Sequence, residues 1–171
     1  DGDLYLNMVD KIHQTGGRYA GVLWYQGCSD TNPGPAEKYL EHFREYVEAT
    51  RKELGYEIPF FTMQLNRQIN GINDECWGMV RDAQARAAKE IPGVSVLTTS
   101  NLSLCDGIHN TAQANVALGE KLAKQCAHVL NGKEEYQPPE LVKVERADEA
   151  ERKSFQLEGS GIWLKLTCDH V

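Results

Sequence analysis

The sequence predicts an α/β fold, a three-layer α/β/α arrangement in which helices cover both faces of a parallel sheet. Three short apolar runs typical of buried strands alternate with amphipathic segments of helical periodicity, and the connections between them are short. That alternation specifies a parallel sheet with right-handed crossovers. With 171 residues, of which 41% are hydrophobic, the chain is long enough to bury a core.

The first half of the pattern is helix, strand, helix. Apolar side chains recur at helical spacing over residues 4–12, and Gly16 ends this helix. Residues 20–26 are nearly all apolar or aromatic, which predicts a strand buried on both faces. Pro35 favours the start of the second helix, since proline is tolerated at the first helical position, and Gly55 ends it.

The second half repeats the alternation. Residues 58–65 are the second predicted strand, followed by a polar loop and a helix that Asn73 is expected to cap. Residues 94–99 are the third strand. Asn110, with a glutamine three residues later, resembles a capping box and predicts a last helix that reaches Gly132.

The pattern changes after residue 132. A proline-containing linker is followed by short segments that alternate with period two, as half-buried antiparallel strands do. These segments are residues 141–145, 154–158 and 161–167. We therefore predict two domains, the α/β body over 1–132 and a linker with the start of a β module over 133–171.

Composition excludes several classes of partner. The net charge of −7 and the absence of a basic stripe argue against a nucleic-acid or membrane surface. Five cysteines without C-x-x-C spacing suggest neither a disulfide framework nor a zinc site. No apolar run reaches the ~18 residues that span a bilayer.

Asp106 and His109 are the strongest catalytic candidates. A carboxylate three residues before an imidazole can accept its Nδ1–H, which fixes the tautomer and leaves Nε2 free as a general base. Residues 26–30 follow the first strand, and carboxyl ends of parallel strands meet at one sheet edge. We therefore expect residues 26–30 to lie beside the 106–109 loop.

Four motifs in order now resemble one family. Residues 21–30 resemble the W-Y-Q-G-E-S-[N/D] motif of sialate O-acetylesterase-like carbohydrate esterases, a branch of the SGNH hydrolases with a flavodoxin-like fold. Asp106-Gly-Ile-His109 stands at the family's D-x-x-H. Residues 59–65 resemble its P-F-x-x-V-Q-L strand, and residues 80–84 its L-R-E-A-Q helix.

The resemblance implies a Ser-His-Asp esterase that removes O-acetyl groups from sialic acid or a related glycan, without metal or organic cofactor. His109 would be the base and Asp106 its orienter. Family analogy implies a secreted, periplasmic or lysosomal protein. The remaining implied site residues are Gln26 and Gly27 near the oxyanion hole, and Gln64 and Arg81 near the substrate pocket.

The chain also departs from the family pattern. The G-Q-S-N-type turn with the nucleophilic serine does not occur in it, so we expect an N-terminal segment or another chain to supply that serine. Cys28 replaces the glutamate of the G-E-S motif, and Asn110 replaces the proline that often follows the histidine. The second change resembles a harmless capping variant.

Several alternatives stay open. Cys28 is a possible thiolate nucleophile, and the chain could be an inactive glycan-binding or interaction module. Trp24 and Tyr25 are expected in the core rather than as sugar platforms. Arg81 could form an ion pair with a neighbouring carboxylate such as Asp82 or Glu75. The other histidines, His13, His42, His128 and His170, are expected to be solvated.

Overall fold

The computed structural model describes residues 2–132, 140–156, 159 and 161–169. The chain divides into two compact units, residues 1–136 and 137–171. The predicted boundary after residue 132 adjoins residues 133–139, which lie outside the described part, so it stays a prediction. In the part of the chain described, no helix is both long enough and apolar enough to cross a membrane.

The first unit is a parallel α/β sheet with helices on its faces, so the predicted fold class is confirmed. The strands have the order β1-β2-β3, and both neighbouring pairs are parallel. Its helices are α1 Asp3–Thr15, α2 Pro35–Leu54, α3 Asp74–Glu90 and α4 Ala112–Leu130. Its strands are β1 Val22–Trp24, β2 Phe60–Met63 and β3 Val94–Leu97, and Cys28–Asp30 form a short 3₁₀ helix.

Alternation along β2 and β3 creates the layers. Phe60 and Val94 belong to one core cluster with apolar side chains of α2 and α3. Met63 and Leu97 belong to a second cluster with Leu118 of α4. Successive side chains of a strand point to opposite faces, which explains why β2 contributes to both clusters. The sheet therefore lies between α2 and α3 on one face and α4 on the other.

β1 differs from its prediction. The strand is three residues long, and Leu23 is 60% exposed, so it is not buried on both faces. β1 is the edge of the described sheet, paired only with β2, and the described residues do not cover Leu23. Trp24 is half-buried and packs against Phe43 and Tyr46 of α2.

Two predicted caps differ from the structure. Thr111, not Asn110, caps α4, since its side chain accepts the Ala114 N–H. Asn73 stands at the N-cap of α3 with a positive φ of 55°, but its side chain makes no cap hydrogen bond. It donates to Asn32 instead, which ties the start of α3 to the loop before α2.

The second unit is an antiparallel pair of strands, β4 Glu140–Arg146 and β5 Leu164–Asp169, with a short helix α5 Glu149–Ser154 between them. The predicted strand over 154–158 is wrong at its start, because Ser154 ends α5. Residues 157 and 158 lie outside the described part. A capping box formed by Asp148 and Glu151 favours the helix α5. The alternation of apolar residues that predicted a strand over 154–158 does not reveal such a cap.

Candidate active site

Asp106 and His109 form the predicted hydrogen-bonded pair. Asp106 Oδ2 lies 2.7 Å from His109 Nδ1, which confirms the expected contact. When Nδ1 carries the proton it donates to this carboxylate, so Nε2 keeps a free lone pair. Both side chains are exposed, the imidazole at 67%. The geometry is therefore that of a general base held by an orienting carboxylate, while the catalytic role remains a prediction.

The backbone of the same turn holds the carboxylate. Asp106 Oδ1 accepts the N–H groups of Ile108 at 2.8 Å and of His109 at 2.7 Å. These bonds, led by the His109 N–H, then Ile108 and the imidazole, lower the pKa of Asp106 from 3.8 to about 2. Hydrogen bonds to the charged form favour it. Asp106 is therefore an anion near neutral pH, with Oδ2 free to accept a hydrogen bond from the His109 ring.

The 104–110 loop is closed on itself and tied to the loop after β2. Leu104 and Asn110 form a bridge, and Cys105 N–H donates to His109 O at 2.9 Å. Ile69 N–H donates to Gly107 O at 2.9 Å. A side chain at Gly107 would meet Asn70, since an added Cβ lies 3.0 Å from the Asn70 Cβ. The loop position is thus set by contacts distant in sequence.

Asn110 is a site residue that sequence reasoning missed. Its Oδ1 accepts from Asn66 Nδ2 at 2.7 Å, and its Nδ2 donates to Tyr25 OH at 3.0 Å and to Asn115 Oδ1 at 3.1 Å. The residue after His109 is therefore bonded to the carboxyl-terminal side of β1, to that of β2, and to α4. Asn110 stands where the family often has a proline, and this departure is visible in the sequence. The three hydrogen-bond partners of its side chain are not visible there.

Asn66 connects this network to the core. It is 2% exposed, its amide also donates to Leu102 O at 3.3 Å, and its backbone carbonyl accepts from Trp77 Nε1 at 2.7 Å. A buried amide whose donors and acceptors are paired is rigid, because breaking any bond leaves an unsatisfied group. The 104–110 loop, which carries His109 and is called the His109 loop below, is therefore attached to a rigid part of the fold.

Gln26 is held inside its own turn. Its side-chain amide donates to the Asp30 carboxylate, and its backbone carbonyl accepts from Tyr39 OH at 3.0 Å. Gln26 and Asp30 line a cavity of about 350 Å³ whose other walls include aromatic side chains of β1 and α2. The amide therefore has a structural partner, and its predicted role near an oxyanion remains a prediction.

Gly27 is required for packing. Its φ is +142°, and an added Cβ would lie 3.0 Å from Gln84 Nε2 and 3.1 Å from Val80 Cγ1. A larger residue here would require the neighbouring side chains to shift, and it would be strained in a backbone conformation that favours glycine. The structure thus gives a packing reason for glycine at this position, independent of the role near an oxyanion that the family resemblance implies.

Gln84 is the second residue that sequence reasoning missed as part of the site. It is 1% exposed, its Oε1 accepts from Leu65 N–H at 2.7 Å, and its Nε2 donates to Gln26 O at 2.9 Å and Tyr39 OH at 3.3 Å. One buried amide therefore joins the ends of β1 and β2. The glutamine in a Val-Arg-Asp-Ala-Gln helix motif was the available signal.

Gln64, which directly follows β2, and Arg81 of α3 are bonded to each other, and Arg81 also reaches Ser100 after β3. Gln64 Nε2 donates to Arg81 O at 2.9 Å, and the Arg81 guanidinium donates to Ser100 Oγ. Neither alternative ion pair of Arg81 is present among the described residues, and Asp82 contacts Arg86 instead. Burial without a counter-ion lowers the pKa of Arg81.

The predicted site residues therefore fall into three sets, which are Asp106 with His109, Gln26 with Gly27, and Gln64 with Arg81. β1 and β3 both run parallel to β2, as expected, and Tyr25 joins the end of β1 to the His109 loop through Asn110. The structure gives no direct hydrogen bond between residues 26–30 and 106–109.

Tyr25 is 42% exposed, so its predicted core position is wrong, because the described part of the chain does not cover β1 there.

The other nucleophile and base candidates are weak. Partial desolvation raises the pKa of the Cys28 thiol, which disfavours the thiolate that a nucleophile needs. His13, His42 and His128 are exposed as expected, and His170 lies outside the described residues. No group of three or more potential metal ligands occurs in the described part of the chain.

A parallel α/β sheet with an ordered Asp-His pair on the loop after its third strand is typical of hydrolases that use an imidazole base. A family model described as carbohydrate esterase, sialic acid-specific acetylesterase matches residues 1–128. The chain belongs to this family, which confirms the resemblance found from the motifs. No curated protein sequence matches the chain.

Solved structures share the fold. One from Arabidopsis thaliana is 28% identical with a TM-score of 0.65, and the match covers 74% of this chain and 52% of that one. A carbohydrate acetylesterase from Xanthomonas citri is 26% identical with a TM-score of 0.63, covering 75% of this chain and 30% of that one. The chain therefore spans about half the length of the first structure, or less for the second.

Proposed function

We propose that the complete protein is a carbohydrate O-acetylesterase that hydrolyses O-acetyl esters on sialic acid or a related glycan, with its serine nucleophile outside this chain. The chain is a carbohydrate esterase by family, and one structural neighbour is described as a carbohydrate acetylesterase. The single observation on which the mechanism depends is the 2.7 Å contact between Asp106 and His109.

In this mechanism His109 Nε2 takes the proton of the serine as its Oγ attacks the ester carbonyl. The tetrahedral intermediate expels the sugar oxygen, which leaves with the proton from the imidazolium. Water then attacks the acyl-enzyme with His109 again as base, and acetate is released. Asp106, ionised near neutral pH, stabilises each imidazolium and holds the ring in one orientation.

The turn that follows β1 is proposed to face the reacting carbonyl. Gln26 and Gly27 would lie beside its oxyanion, and the hydrogen bonds of Gln84 and Tyr39 to the Gln26 carbonyl keep this turn fixed. Preorganised donors stabilise charge that develops in the transition state without having to reorganise. Cys28, in place of the family's glutamate, removes a charge from this turn.

The test compares p-nitrophenyl acetate hydrolysis by the isolated chain and by the complete protein. The isolated chain is expected to be no faster than its His109→Ala variant, because its base has no serine to activate. In the complete protein His109→Ala should lower the rate by several powers of ten. His128→Ala, which changes an exposed histidine on α4, is the matched control.

Three other outcomes would replace the proposal. A burst from the isolated chain that Cys28→Ser abolishes would make Cys28 the nucleophile. Loss of that activity in Ser29→Ala would assign the serine of the same turn. If hydrolysis by the complete protein is unaffected by all three substitutions, the activity comes from a contaminant or the protein is a glycan-binding or interaction module, and glycan binding by the complete protein would then be measured.

A further inference from the structure

We propose that Arg67 and Arg81 form a binding site for the carboxylate of an acetylated sugar acid, beside the His109 loop. This inference rests on the proposed function and makes it more specific, since a neutral acetylated sugar has no group for such a site. It assigns the two side chains that would distinguish a sugar acid from a neutral acetylated sugar.

Both guanidinium groups bind the same residue. Arg67 Nη1 donates to Ser100 O and to Leu102 O, each at 2.7 Å, while Arg81 Nη2 donates to Ser100 Oγ. Ser100 follows β3, Arg67 follows β2, and Arg81 lies on α3. Three elements thus bring two positive charges together at the carboxyl-terminal edge of the sheet.

Neither charge has a carboxylate partner among the described residues. Three other arginines of the first unit do pair with acids: Arg44 with Glu90, Arg51 with Glu57, and Arg86 with Asp82 and Glu90. The chain has 25 acidic residues against 18 basic ones, so acidic partners are abundant. Two adjacent cations without a counter-ion repel each other, and a bound anion would remove that repulsion.

The two side chains also keep donors for a ligand. Arg81 Nη1 and Arg67 Nη2 have no acceptor in the described part of the chain. Arg81 Nε is buried and unpaired, so part of this cation is desolvated without compensation. Arginine presents its donors as a planar fork that matches a carboxylate, so two such forks suit one acid group.

The site is connected to the base by one network. Arg67 is adjacent to Asn66, whose amide donates to the Asn110 side chain at 2.7 Å, and Asn110 follows His109. In the proposed complex the sugar acid has its carboxylate at Ser100 and its acetyl ester at His109, on two loops that the Asn66–Asn110 contact joins. The fixed amide contact between the two sites would set which ester of the sugar reaches the base.

The test is a ¹⁵N NMR titration of the chain with N-acetylneuraminic acid, its methyl ester and the neutral sugar N-acetylmannosamine. The acid should give saturable shifts at Ser100 and at the Arg81 Nε–H in the millimolar range, and the two uncharged compounds should not. Arg67→Gln and Arg81→Gln should each weaken binding by roughly 10- to 100-fold, since each removes a charge-assisted contact. Arg86→Gln, on the same helix as Arg81, is the control.

Equal chemical-shift changes with the acid and with its methyl ester would overturn the inference. The absence of any saturable shift with the acid would also overturn it, as would wild-type affinity for the acid in both Arg67→Gln and Arg81→Gln. Arg81→Lys keeps the charge without the fork and should recover part of the affinity, which separates recognition from a folding defect. The proposed esterase activity fails separately, since hydrolysis of uncharged p-nitrophenyl acetate by the complete protein depends on His109 and not on these arginines.

Discussion

Replacing Gly27 with alanine should destabilise the α/β unit by about 2–6 kcal/mol, the sum of two costs of about 1–3 kcal/mol each. The first cost is backbone strain at a φ of +142°. The second is overpacking, since the new Cβ would lie 3.0 Å from Gln84 Nε2 and 3.1 Å from Val80 Cγ1. Stabilities of 5–15 kcal/mol are usual for a domain, so roughly a third of the total is at risk.

The assay is urea unfolding followed by tryptophan fluorescence, with Trp77 buried in this unit. Gly34→Ala separates the two costs, because its φ is +90° but an added Cβ meets nothing within 4 Å. It should lose about 1–3 kcal/mol from the backbone alone. Gly119→Ala lies inside α4 with open space and should stabilise by about 0.5–1 kcal/mol.

The order of stability is therefore Gly119→Ala, wild type, Gly34→Ala and Gly27→Ala. A Gly27→Ala protein as stable as Gly34→Ala would show that the side chains of Gln84 and Val80 move aside without cost. The reasoning that this glycine is required by packing would then be refuted, and its role near the oxyanion would have to explain the residue.

Three further predictions concern the hydrogen bonds of the site. A ¹³C titration should place the pKa of Asp106 at about 2, below its ordinary value of 3.8. The stability that the ionised carboxylate contributes is therefore complete above pH 3.8 and is lost as the pH falls toward 2. A midpoint near 3.8 would contradict the turn geometry. Asn110→Ala removes three side-chain hydrogen bonds and should lower the free energy of unfolding by about 1–3 kcal/mol. It should also shift the His109 ring resonances more than Asn115→Ala, which breaks only one of those bonds. Equal shifts would show that Asn110 does not position His109. Gln84→Leu should cost about 1–3 kcal/mol in urea unfolding, since it leaves the buried Leu65 N–H unpaired while the Gln26 carbonyl keeps its bond from Tyr39 OH, and no measurable loss would show that water replaces the amide.

Local patterns predicted most of the fold. The helices from Pro35 and over residues 4–12, and the strand over 58–65, follow from apolar spacing and from the positions of proline and glycine, which act within a few residues. The Asp106 to His109 contact was predictable for the same reason, because three residues of one turn determine it.

Long-range contacts explain what the sequence did not predict. The burial of β1 depends on which other element covers the strand, and the apolar composition of residues 20–26 does not identify that element. Asn110 bonds to Tyr25, a residue 85 positions away, and Gln84 to Gln26 at a separation of 58. An amide can donate or accept anywhere, so its type alone names no partner. Such network residues become visible only when the strands are assembled.

Among the described residues, His109 has an orienting carboxylate at Nδ1 and no hydroxyl or thiol partner at Nε2. Asp106 fixes the imidazole at Nδ1, while no hydroxyl or thiol of the described residues is hydrogen-bonded to His109 Nε2. Cys105 lies in the 104–110 loop, but its thiol contacts the carbonyls of His109 and Asn110 rather than the ring. Cys28 has a raised pKa, which weakens it as a nucleophile. An oriented imidazole with no described partner at Nε2 is the arrangement expected under the proposal that the serine comes from outside this chain, so comparing His109→Ala in the isolated chain and in the complete protein tests that proposal directly.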